Sequence, residues 1–207
     1  ASANKNGIPI ISEVCLYFEY KLYRANRTTK ISAEQFEAFT SLNFSPLAES
    51  GVHLKFNEQL IYQPKNKGKD LIVRKNLVNG VVILKLFPGI SNVVVESIFS
   101  IPKLKGVVLE TYGSGNAPNS ENFILSLKKA IDKGVKIVNV TQCKSGSVMM
   151  GHYDTSLMLK NIGVIDGKDI TTESAIAKLM YLLSEDLSIE DFTMFFENSL
   201  RGELTDN

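Results

Sequence analysis

Histidine is almost missing from this sequence. His53 and His152 are the only two, and neither has a cysteine or carboxylate at ligand spacing around it. That scarcity argues against a zinc site and leaves almost no raw material for a Ser-His-Asp triad. Cysteine is equally scarce. Cys15 and Cys143 lie far apart, each in an apolar strand-like run, and are expected to be buried free thiols, which suits a reducing cytoplasm. Neither sign of charge is in excess: 23 Lys and Arg against 22 Asp and Glu leave a net +1. Bulk electrostatics therefore favour neither nucleic acid nor an anionic membrane as a partner. No run of about eighteen apolar residues occurs, which excludes a transmembrane helix. The opening ASANKNG has no initiator Met, no basic n-region and no apolar h-region. It is not a signal peptide, and the chain is expected to be a piece of something longer.

What is present suits a globular protein. A chain of 207 residues can bury roughly 70% of its unfolded surface, so a core needs no disulfide or metal. Hydrophobic residues at 44% and charged residues at 22% are ordinary for that class.

The first third reads as short, irregular elements. Ile8 to Ile11 and Val14 to Phe18 are strand-like, Glu19 to Lys30 suggests a polar hairpin centred on Arg24-Ala25-Asn26, and AFTSLNFSPLA at Ala38 to Ala48 resembles a surface connection. QPKNKGKD, Gln63 to Asp70, is polar enough for a linker or an exposed hairpin. From Gly80 the pattern becomes regular. Strand-like runs at Val81–Phe87, Val107–Tyr112 and Lys136–Cys143 alternate with helical spacing at Asn92–Ser100 and Glu121–Lys133, which Ser91 and Ser120 are placed to cap. Further helices are expected at Thr155–Asn161, Thr172–Ser184 and Ile189–Ser199. Strands joined by crossover helices require a parallel sheet, and near-continuous apolar strands indicate a sheet covered on both faces. The fold class is therefore α/β: a small doubly wound parallel-sheet domain of the flavodoxin or Rossmann kind, preceded by shorter elements. The expected division is 1–56, 57–79 as a connection, and 80–207.

In such folds ligands bind beyond the carboxyl ends of the strands. There the sequence places GVVLETYGSGNAPNSENF, Gly106 to Phe123, in which Gly113 and Gly115 bracket a serine before Asn116. A tight turn before a helix is one reading. A dinucleotide fingerprint fits poorly, because Pro118 occupies the third glycine position of G-x-G-x-x-G. A third reading has Asn116 presenting its amide to a polar ligand.

LETYGSGNAP, then KIVNVTQCKSG and the closing LRGELT, resemble the C-terminal domain of bacterial cytoplasmic (type I) L-asparaginases. Upstream, EVCLYF, RANRTTK and AFTSLNFSPLAE resemble the end of that family's N-terminal domain, with Ala25 where glycine is common. The resemblance implies hydrolysis of L-asparagine to aspartate and ammonia by a threonine nucleophile, without metal or organic cofactor. It also implies a homodimer or tetramer whose active site is shared across subunits. It makes residues 1–56 the end of the catalytic N-terminal domain and 80–207 the C-terminal domain. Lys30, by the resemblance, is a member of the proton relay, and Asn116 reaches into a neighbouring subunit's site to help hold the substrate's amino group. Thr141, Gln142 and Cys143 match a segment that lines an allosteric asparagine site in some members. Those members carry an arginine where this sequence has Glu110, and a glutamate would repel the effector's carboxylate. The family's T-G-G-T-I motif, which carries the nucleophile, and its H-G-T-D-T motif do not occur in these 207 residues. The chain alone is expected to be inactive. The alternative is a non-enzymatic α/β domain that binds a small ligand or serves oligomerisation.

Overall fold

The computed structural model describes residues 9–63, 70, 72–151 and 154–206. The chain divides into two compact units, Ala1–Lys75 and Asn76–Asn207.

In the first unit β1 (Cys15–Phe18) and β2 (Lys21–Arg24) form an antiparallel hairpin, with Cys15 opposite Arg24 and Phe18 opposite Lys21. Glu19 and Tyr20 turn it, both at positive φ (45° and 66°), the two-residue geometry that matches strand twist. The turn therefore lies earlier than the sequence suggested. Arg24 cannot sit in a solvent-facing turn, because its buried guanidinium pairs with Glu13 and stacks 4.4 Å from the centre of the Phe44 ring. Ala25–Arg27 instead form a short 3-10 turn leading into β3 (Thr29–Lys30), which pairs with β4 (Phe39–Thr40). β5 (Ala48–Ser50) and β6 (Leu54–Phe56) complete a second sheet in the order β1-β2-β5-β6. Two further expectations fail. Of the expected strand Ile8 to Ile11, Pro9 makes a lone β-bridge and Ile10 and Ile11 lie in no strand, while Ile8 lies outside the described residues; and the segment 38–48 is no mere surface connection, since Leu47 and Ala48 are buried. Residues 64–69 of the polar stretch lie outside the described residues.

The second unit follows the sequence closely. β7 (Val81–Lys85), β8 (Gly106–Thr111), β9 (Lys136–Thr141) and β10 (Ile165–Asp166) form a parallel sheet in which each strand neighbours the next in sequence. Between them run α1 (Asn92–Phe99), α2 (Glu121–Asp132) and α3 (Asp154–Asn161). The serine caps are in place: Ser91 accepts from Val94 N and Ser120 from Phe123 N. Side chains alternate across the sheet, so Val107, Leu109 and Ile137 pack with Val95, Phe123, Leu127 and Leu159 of the three crossover helices. The opposite face, carrying Val108, Val138 and Val140, is covered by α4 (Thr172–Leu182) and α5 (Ile189–Glu197) through Leu179, Phe192 and Phe196. Both faces of the sheet are thus closed, as expected. β10 went unrecognised in the sequence because two residues are too few to show a period.

The tail after α5 is fastened by a buried pair, Lys178 of α4 with Glu203. Lys178 also donates to Asn198 O at 2.7 Å, while Glu203 accepts from Leu200 N and Arg201 N. Burial pushes the Lys178 ammonium below the usual lysine range. Burial would raise the Glu203 carboxyl, but Lys178 and the two backbone N–H groups outweigh it and hold it below the carboxylate range. Among the described residues no helix is long and apolar enough to cross a membrane.

Candidate functional site

β7, β8 and β9 end side by side, and the loop after β8 stands at that edge. It closes on itself: Tyr112 N donates to Asn116 O at 2.8 Å and Asn116 N to Tyr112 O at 2.9 Å. Both glycines adopt positive φ, 51° at Gly113 and 111° at Gly115. Gly115 answers a second constraint as well, because a Cβ there would sit 2.8 Å from Val148 Cγ1. The neighbouring elements hold the loop. Thr141 Oγ1 donates to Gly113 O at 2.5 Å and Met149 N donates to Ser114 O at 2.9 Å. From beneath, the buried Asn139 donates to Gly115 O at 3.4 Å and accepts from the buried Thr111 hydroxyl at 2.6 Å.

Asn116 itself is half-buried, and Thr155, in the first turn of α3, donates its hydroxyl to Asn116 Oδ1 at 3.0 Å. The carboxamide is therefore tied to α3, with its oxygen facing Thr155. Motif reading missed Thr155, since no local spacing ties it to a residue 39 positions away. Asn139 did leave a trace: a polar side chain inside the apolar run KIVNVT must find buried partners.

Thr141, Gln142 and Cys143 lie at the end of β9, and their described polar contacts are made within the protein. The Gln142 amide nitrogen spans Leu86 O at 2.6 Å and Glu110 O at 2.9 Å, stitching three strand ends together. The Thr141 hydroxyl also accepts from Cys143 N at 3.0 Å. Cys143 is exposed, against expectation, because β9 stops at Thr141 and that bond turns the chain outward. Cys15 is half-buried, and burial followed by the charge of Glu13 raises its thiol to about 11. Glu110 is held by Lys85, 3.4 Å away, and by the Thr172 hydroxyl, which donates to Oε1 at 2.7 Å.

Lys30 belongs to the first unit. It is exposed on β3 opposite Phe39, its Nζ 5.9 Å from the centre of that ring. Of the two histidines, His53 is exposed in the turn between β5 and β6, and His152 lies outside the described residues. Among the described residues no cluster of three or more His, Cys, Asp or Glu could hold a metal ion.

Comparison with known proteins agrees with this architecture. Residues 80–196 match the glutaminase/asparaginase C-terminal domain, and residues 2–62 match the asparaginase N-terminal domain. L-asparaginase 1 of Escherichia coli K12 is 43% identical over 196 residues, covering 94% of this chain and 57% of that protein. The 60 kDa lysophospholipase of Mus musculus is 40% identical over 197 residues, 95% of this chain and 34% of its own length. The crystal structure of L-asparaginase I from Vibrio cholerae superposes with a TM-score of 0.87 at 38% identity, covering 94% of this chain and 58% of that one. The chain spans little more than half the length of these two asparaginases. With a family model matching more than half of its residues and a parallel sheet of matching architecture, this chain belongs to the glutaminase/asparaginase family.

Proposed function

We propose that these residues form part of an L-asparaginase and supply Asn116 as a substrate contact. The observation that carries the reading is the Asn116 carboxamide, fixed by Thr155 on a loop fastened to its neighbours, at the sheet edge where α/β folds bind ligands. Hydrolysis of a side-chain amide is acyl transfer, which needs an activated hydroxyl, a proton relay and donors for the oxyanion. The hydroxyl, in this reading, is the threonine of the T-G-G-T-I motif, which these 207 residues do not contain. Lys30 is the relay's amine. Its carboxylate partner, in this reading, is the aspartate of T-D-T, also absent from these residues. The chemistry requires neither metal nor organic cofactor. The active unit is a homodimer or tetramer in which Asn116 serves a neighbouring subunit's pocket, and the protein works in the cytoplasm.

The second asparagine site does not extend to this protein. Glu110 stands where the allosteric members carry an arginine and cannot pair with an effector's carboxylate as that arginine would, and the Gln142 amide nitrogen is engaged by two backbone carbonyls. Rate against asparagine concentration in the complete enzyme is therefore hyperbolic.

The test is Asn116→Ala in the complete enzyme. KM for asparagine rises about tenfold or more, the scale of one polar contact to a charged group, and kcat changes less. Unchanged kinetics would remove Asn116 from the site. The 207 residues by themselves release no ammonia from L-asparagine; measurable release would place a nucleophile within them.

A further inference from the structure

Resting on that reading of Asn116, we infer that Thr155 is a positioning residue: its hydroxyl, bonded to Asn116 Oδ1, steadies the carboxamide in the place where that oxygen can also meet the substrate's ammonium. A carboxamide turns about a broad, two-fold torsion, so its own covalent structure does not select which end faces a ligand. An ammonium has donors alone and requires an acceptor. Thr155 Oγ1 lies 3.0 Å from Asn116 Oδ1, so the hydroxyl donates there. Oδ1 has two lone pairs, one of which takes this bond and leaves the other for an incoming N–H.

The hydroxyl is itself well anchored. Thr155 stands in the first turn of α3, whose Leu159 is fully buried in the core and whose buried Ser156 accepts from Gly151 N at 3.2 Å. Asn116 is held from the other side by its two backbone bonds to Tyr112. Removal of the Thr155 hydroxyl frees the carboxamide to turn, and the rotated form sets NH2 against the ammonium.

The experiment compares Thr155→Val, Thr155→Ser and Asn116→Ala in the complete enzyme, on L-asparagine and on succinamic acid, the same amide without the α-amino group. Thr155→Val preserves shape and removes the donor. It raises KM for asparagine about tenfold, leaves kcat within about twofold, and leaves KM for succinamic acid within about twofold. Thr155→Ser restores KM for asparagine. Should valine disturb α3, Thr155→Ala gives the same comparison. An equal rise of KM for both substrates overturns the inference, because loop packing and not the amide's orientation would then be at stake. An unchanged KM in Thr155→Val beside a raised one in Asn116→Ala overturns the role of Thr155 alone. Asn116→Ala kinetics like wild type overturn the reading on which it rests.

Discussion

The two units bury their residues differently. The second closes a parallel sheet between two aliphatic layers, and Phe123 and Phe196 are the largest of its fully buried side chains. The first gathers around a charged centre, Arg24 with Glu13, Phe44 and Tyr62. Long apolar strands need only water's exclusion to find their layer, whereas short strands rely on a few directed bonds. The candidate site residues follow the same division: Asn116 is pinned by its surroundings, and Lys30 stands on a surface.

The largest effect comes from attacking the charged links that each unit possesses. Glu203→Gln leaves the Lys178 ammonium buried without its counter-charge and lowers stability by about 3–5 kcal/mol. Arg24→Met does the same to Glu13 in the first unit. Denaturant melts followed by hydrogen exchange separate the two: each variant loses protection first in its own unit, and identical patterns would erase the contrast.

Asn139→Val strikes a buried amide inside the second unit's sheet. It leaves the Thr111 hydroxyl and Gly115 carbonyl without that amide and costs about 1–3 kcal/mol in the same melts. A neutral result would mean that the loop does not depend on support from beneath.

Acid gives a smaller, signed effect. Glu203 is held below the ordinary carboxylate value of 4.5, so its stabilisation is complete above that value and is lost as pH falls through its folded value. Asp166 runs the other way: burial first, then Glu197, raise it, so its folded form gains as acid protonates it. Stability measured from pH 6 to pH 3 therefore falls in the wild type and falls less in Glu203→Gln; an unchanged slope would show that Glu203 does not drive the loss.

The mildest probe is alkylation of the native chain near pH 8. Cys143, exposed, is modified first, while Cys15, half-buried and raised to about 11, lags well behind. Intact mass against time reads the order, and equal rates would contradict it.

Much of the second unit was legible because its signals are local. Val107 to Leu109 announce a buried strand, Ser120 announces a helix start, and Gly113 with Gly115 announce the bend between them. The Asn116 loop could be singled out on those grounds, and the resemblance to the asparaginases attached a role to it. The first unit was harder to read. Its hairpin turns on Glu19 and Tyr20, which carry no turn signature, and the position of that turn answers to an ion pair between Glu13 and Arg24. Cys143 misled for a similar reason: the apolar run continues past the point where the Thr141 hydroxyl ends the strand.

The order of amino acids by itself determined the alternation of strand and helix after Gly80, the helix caps and the glycine bend, because each depends on neighbours a few positions away. Tertiary structure alone decided that Thr155 meets Asn116, that Asn139 supports Gly115 and that Glu110 is held by Lys85 and Thr172. Those contacts span tens of residues, and they exist only once the parallel sheet has brought the ends of its strands together.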